Sequence, residues 1–168
     1  MNFVRVAVVI AVALGLSSCL EKTPGDYIPE TESMNSLNGA EQVLTGIYTA
    51  YMSSGLYSGY LTLCPDVQSD LVYAVQGNTN TMGNIWQWDI RSTNSEVESV
   101  YAALYRVIGR CNFFLDQVDK LRDSMTDDES IQTLDYYTGE VHCARALAYS
   151  ELIKCFCKAY DPATAKDD

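Results

Sequence analysis

TNSEVESVYAALYRVIGRCNFFLDQVDKL, residues 93–121, decides the fold. Its apolar positions Val97, Val100, Tyr101, Leu104, Tyr105, Ile108, Cys111, Leu115, Val118 and Leu121 fall three or four apart. That spacing lines them along one face of a helix, and a face so broad has to be buried. Thr93 followed by Glu96 has the form of a capping box and predicts the helix start. After an acidic break at Asp123 to Asp128, a second helix is signalled by Thr126 with Glu129. Ile131, Leu134, Val141, Ala144, Ala148, Leu152 and Cys155 continue the stripe. Two long helices joined by so short a connection should pack antiparallel.

The 168 residues suffice for one modest domain with a real core. Apolar content of 48% against 20% charged excludes a wholly disordered chain. A formal net charge of −11 argues against a nucleic-acid partner, since no basic stripe exists to displace counterions from phosphates. Twelve tyrosines and two tryptophans suit both helix packing and stacking on sugars or peptides, so composition alone does not choose between them.

Residues 1–18 read as a leader. Arg5 gives a positive start, and Val6 to Leu16 is free of charge but too short to span a bilayer. The leader ends in Leu16-Ser17-Ser18-Cys19, which resembles the lipobox of bacterial lipoproteins and makes Cys19 the expected lipidation site. Removing it takes away one positive charge and no acidic residue. Residues 19–37, with Thr23-Pro24-Gly25-Asp26 and Pro29, have no helical period and read as a lipidated flexible tether. The helical domain is expected over 38–160 and a charged tail over 161–168, with the chain read as the amino-terminal portion of a longer protein.

A first helix should run from Asn38, as cap, to Met52, burying Val43, Leu44, Ile47, Tyr48 and Tyr51. Gly46 within it predicts close approach of another backbone. From Ser53 to Ser92 regular signals lapse, and glycines, asparagines and Pro65 punctuate the stretch. A connection this long is functional or holds small elements of its own. Leu71 to Val75 could form a short strand. Trp86, Trp88 and Ile90 alternate with polar residues, which would put both indoles on one face of another. The fold class is therefore mainly α, built of tetratricopeptide-like helix pairs, with a long loop region that has room for short strands.

These residues together resemble the SusD-like (RagB) family of surface nutrient-binding lipoproteins of the Bacteroidetes. Beyond the lipobox, Ala40, Glu41, Leu44, Gly46, Ile47 and Tyr48 follow its first helix, and Asp66, Ser69 and Asp70 resemble its loop motif. Tyr101, Tyr105, Ile108 and Asn112 look like a further set of its positions. Gly139, Glu140, Arg145, Ala146, Tyr149 and Leu152 resemble its signature of Gly-Glu followed by an arginine–alanine pair and a tyrosine. Val141, Tyr101 and Phe156-Cys157 depart from the residues usual there. The resemblance implies a helical SusD-like fold that binds an oligosaccharide or, less often, a peptide. It also implies a SusC-like TonB-dependent outer-membrane transporter as partner, and a lipid-anchored place on the outer membrane facing the exterior.

Trp86 and Trp88 are the leading ligand candidates, because an indole face stacks on the C–H face of a pyranose without needing charge; Tyr73 is a weaker one. Their competing role is to anchor the loop onto the helices, which Ile90 on the same face favours. Tyr105, Asn112, Gly139, Glu140 and Arg145 are read as structural. Glu140 and Arg145, five apart, should find partners among Arg106, Arg110 and Asn112 on the neighbouring helix. No catalytic residue is assigned, since the only histidine, His142, has no nucleophile in a recognisable elbow. No metal or cofactor is expected, as no ligand spacing is convincing for zinc. Cys64, Cys111, Cys143, Cys155 and Cys157 are an odd number, so one at least stays unpaired; Cys111 with Cys143 is a conceivable pair across the helices. The reading is a non-enzymatic binder of oligomeric nutrients, with a periplasmic protein-binding adaptor as the alternative.

Overall fold

The computed structural model describes residues 33–75, 77 and 82–162. The leader, Cys19 and most of the tether lie outside them, as does the end of the charged tail. Among the described residues five helices follow in order: α1 Leu37–Tyr51, α2 Tyr60–Gln68, α3 Gly83–Trp86, α4 Ser95–Asp123 and α5 Asp128–Phe156. Among the described residues there is no strand, so Leu71 to Val75 is irregular and the alternating tryptophan stretch is not extended. No helix among them is long and apolar enough to cross a membrane.

The two long helices form an antiparallel hairpin whose register is set by three cross-pairs. Arg122 bonds Asp135, Arg145 Nη1 donates to Asn112 Oδ1 at 2.9 Å, and the Tyr101 and Phe156 rings meet edge to face at 5.2 Å. Each pair lies equally far on either side of the Asp128–Glu129 bond, so the helices run past each other without a slip. α1 lies against both. Leu44, Ile47 and Tyr51 from α1, Leu104, Val107, Cys111 and Phe114 from α4, and Leu134, Val141, Ala144 and Ala148 from α5 make one buried cluster. Met34 belongs to it and Leu37 opens α1, so the packed chain begins ahead of residue 38.

The helix ends differ from the sequence reading by a residue or two, for identifiable reasons. α1 is capped by Ser36, whose Oγ accepts from the Gly39 N–H at 3.1 Å, and not by Asn38. α4 starts after Asn94, and Thr93 does not cap it. Asn94 Oδ1 is taken by the Arg91 N–H, while Glu96 accepts from the Met82 N–H at 3.4 Å instead of reaching back to Thr93. α5 is capped by Asp127, not Thr126: its carboxylate accepts from the Ser130 N–H at 2.8 Å, which holds that carboxyl below its usual range.

Two glycines contrast. A Cβ at Gly55 would stand 2.7 Å from the Ser99 carbonyl oxygen, so the loop after α1 comes this close to α4 because residue 55 has no side chain. Gly46 meets no backbone; the nearest atom is Arg110 Nη1 at 3.9 Å, and that guanidinium donates to the Gly46 carbonyl. The predicted backbone contact at Gly46 is therefore a side-chain contact.

Candidate functional site

The stretch between α1 and α4 is where the chain departs from regular signals, and it builds the walls of a groove. α2 contains Pro65 at its sixth position, which supplies no N–H to the Leu61 carbonyl, and the helix ends soon after. Asp70 follows in the left-handed region at φ 60°, and the Leu71 N–H closes back on the Asp66 carbonyl at 3.1 Å. Ser69 Oγ donates to the same carbonyl, also at 3.1 Å. Asp66, Ser69 and Asp70 thus terminate a helix, with an aspartate tolerated where glycine is usual.

α3 ends the same way. Trp88 sits just past the helix cap at φ 58°, its N–H bonded to the Ile85 carbonyl at 3.1 Å, and the Asp89 N–H returns to Asn84 at 2.9 Å. This is a Schellman ending with tryptophan at the position that normally carries glycine. A bulky side chain in that conformation costs about 1–3 kcal/mol and persists only where surroundings impose it. Met82, at φ 60°, opens the same short helix. Below it, Val67, Met82 and Ile85 form a small second core with Val97 of α4 against it.

The result is a groove of about 550 Å³ between this region and the last turns of α5. Trp88, Ile90, Tyr60, Val97 and Phe156 give it apolar walls, and Gln68, Glu151 and Lys154 its polar groups. That volume is ordinary for a small-molecule site. Trp88 is 65% exposed and lines it, whereas Trp86, the last residue of α3 and 36% exposed, does not. Tyr73 is 73% exposed and lies on neither this groove nor the next. The structure thus brings Trp88 and Ile90 together and leaves Trp86 and Tyr73 apart from them. It adds Glu151 and Lys154, an acid and a base three apart on α5 that the sequence reading did not single out.

A second groove, of about 780 Å³, runs between α1 and α5. Tyr48, Tyr51, Met52, Tyr57 and Leu147 line it, with Glu140 at one edge. Tyr48 Oη donates to Glu140 Oε2 at 2.6 Å, and this bond raises the phenol's pKa; burial, with the Glu151 charge next, raises that of Tyr57. Tyr51 Oη donates to the Ala144 carbonyl at 2.5 Å inside the core. Glu140 is therefore held by Tyr48 of α1, with Arg110 occupied at Gly46 and Arg145 at Asn112. Gly139 faces open space, and the exposed Tyr105 ring meets that of Tyr101 at 4.7 Å, tilted by 46°.

The remaining sequence candidates do not form a reactive centre. His142 is exposed on α5. Cys111 is buried and Cys143 exposed, and they are not bridged; Cys64, Cys155 and Cys157 are free thiols too. Burial, reinforced by the Glu96 charge, pushes the Cys64 thiol up to about 11, so it stays protonated and weakly nucleophilic. No group of metal-ligating side chains occurs among the described residues.

The sequence model of a SusD-like family, described as starch-binding associating with outer membrane, matches residues 20–168. The chain belongs to the SusD-like family. No curated protein and no solved structure matches it. Membership in the SusD-like family associates the chain with the outer membrane and with glycan binding, and that family consists of binding proteins and not of enzymes.

Proposed function

We propose that this SusD-like chain is a lipid-anchored receptor that captures oligosaccharides at the outer face of the outer membrane and hands them to a SusC-like TonB-dependent transporter. The family match over residues 20–168 carries the reading, and its start one residue past Cys19 is in keeping with cleavage ahead of that cysteine. Residues 1–18 act as the signal peptide, Cys19 takes the acyl chains, and the stretch expected as a tether over 19–37 serves as one up to the packed Met34. Each buried methylene contributes about 0.8 kcal/mol, so several chains hold the protein firmly where one would be marginal.

Trp88 is the stacking platform, supported by its exposure on the α2–α3 groove; Trp86 and Tyr73, which do not line that groove, are not part of the platform. The protein performs no chemistry on its ligand. The reading is tested by titrating the full chain, in detergent, with maltoheptaose. Trp88→Ala should weaken binding about tenfold or more, equivalent to about 1.4 kcal/mol, with an unchanged circular dichroism spectrum. Equal affinity in the folded variant rejects the platform. Cys19→Ala should abolish labelling by a fatty-acid analogue, and retained labelling rejects the anchor.

A further inference from the structure

The α2–α3 groove contains a charge that its apolar walls do not require. The Glu151 side chain is only 14% exposed, and a carboxylate so placed is costly unless it is paired. Its Oε1 accepts from Lys154 Nζ at 2.9 Å and, more weakly, from Tyr57 Oη at 3.4 Å. Both bonds fall on one oxygen, so Oε2 takes part in neither. The Lys154 ammonium stands on the open side, 62% exposed, with three donors of which Glu151 uses one. Gln68 adds an amide on the same groove.

Together these groups offer acceptors and donors side by side with no net charge. A hydroxyl, which both donates and accepts, suits such a set. A ring bearing neighbouring hydroxyls can satisfy carboxylate and ammonium together while its C–H face lies on Trp88. An anionic ligand instead meets Glu151 directly, within a chain whose net charge is −11. Lys154, already paired with Glu151, offsets only part of that repulsion.

We infer that Glu151, paired with Lys154, sets the specificity of this groove, admitting a neutral hexose oligomer and rejecting an acidic one. The inference rests on the glycan-binding reading above and names a residue pair that the reading does not require. The full chain in detergent is titrated by calorimetry with maltoheptaose and with tetragalacturonate. Wild type should bind the first at least about tenfold more tightly, the scale of one hydrogen bond to a charged group. Glu151→Gln frees the lysine charge, so maltoheptaose weakens about tenfold, tetragalacturonate strengthens, and the preference narrows or reverses. Lys154→Met, with its fold checked by circular dichroism because it unpairs Glu151, should weaken maltoheptaose and leave the acidic oligomer unbound.

A merely structural Glu151 would weaken both ligands alike, and that result overturns the inference. So does an unchanged preference in either variant. If maltoheptaose binding depends on Trp88 but the preference stays fixed, only the charge pair is wrong. If wild type binds no glycan, the receptor reading falls with it.

Discussion

The α4–α5 hairpin and the stretch from Met52 to Asn94 are built by opposite rules. In the hairpin, apolar spacing and cross-pairs agree, and the backbone stays in ordinary regions throughout. In the connecting stretch, Asp70, Met82 and Trp88 all have positive φ, none is glycine, and Leu71, Tyr73 and Trp88 are left exposed. Regular helices that bury their apolar faces make a scaffold. A strained segment that presents rings to solvent makes a surface for contact, and this chain fixes the second upon the first.

The largest test of that contrast lies in the hairpin. Phe114 is fully buried, and Phe114→Ala should cost about 3–5 kcal/mol in denaturant unfolding, the usual loss for a buried aromatic ring. A loss below about 1 kcal/mol would mean that the hairpin core is loosely packed.

Where the two regions touch, Gly55→Ala should destabilise by about 1–3 kcal/mol, because the new methyl would meet the Ser99 carbonyl. Gly46→Ala should do the reverse, with a gain of up to about 1 kcal/mol from helix propensity, since nothing crowds that site. Equal effects at the two glycines would erase the distinction between a required and a tolerated one.

Trp88→Gly should leave stability unchanged or raise it by about 1 kcal/mol, because glycine accepts the left-handed conformation without strain. A clear loss would show that the indole anchors the loop, and the contrast between the regions would shrink accordingly.

The smallest effect concerns Asp127. Its folded pKa is depressed by the Ser130 N–H, so the cap adds stability above the ordinary carboxyl range and loses it as pH falls through the folded value. Below about pH 4 the wild-type melting temperature should therefore fall more steeply than that of Asp127→Asn. Parallel curves would mean that the cap contributes nothing.

What could be read in advance follows the same division. The hairpin was legible because Val100, Leu104, Ile108, Cys111 and Val118 repeat at helical spacing and because their partners repeat in mirror order. Helix starts were displaced because several polar residues compete at each: Asn94 stands beside Thr93, Asp127 beside Thr126, and only geometry decides which oxygen meets a free N–H. Trp86-Gln87-Trp88-Asp89-Ile90 read as a strand because alternation is the strand signal and no glycine marked the turn that the chain makes at Trp88. Pro65 similarly hid α2, being a residue that ordinarily breaks helices. Glu151 and Lys154 gave no signal at all, since an acid and a base three apart on a helix are usually solvated.

The most direct test is an amide and indole NMR titration of the full chain with maltoheptaose, in detergent. Shifts should appear at the Trp88 indole N–H, along α2 and α3, and in the last two turns of α5, with the turn around Asp128 unmoved. Shifts confined to the α1–α5 groove, or none at any tryptophan, would contradict a receptor surface built on the strained connection.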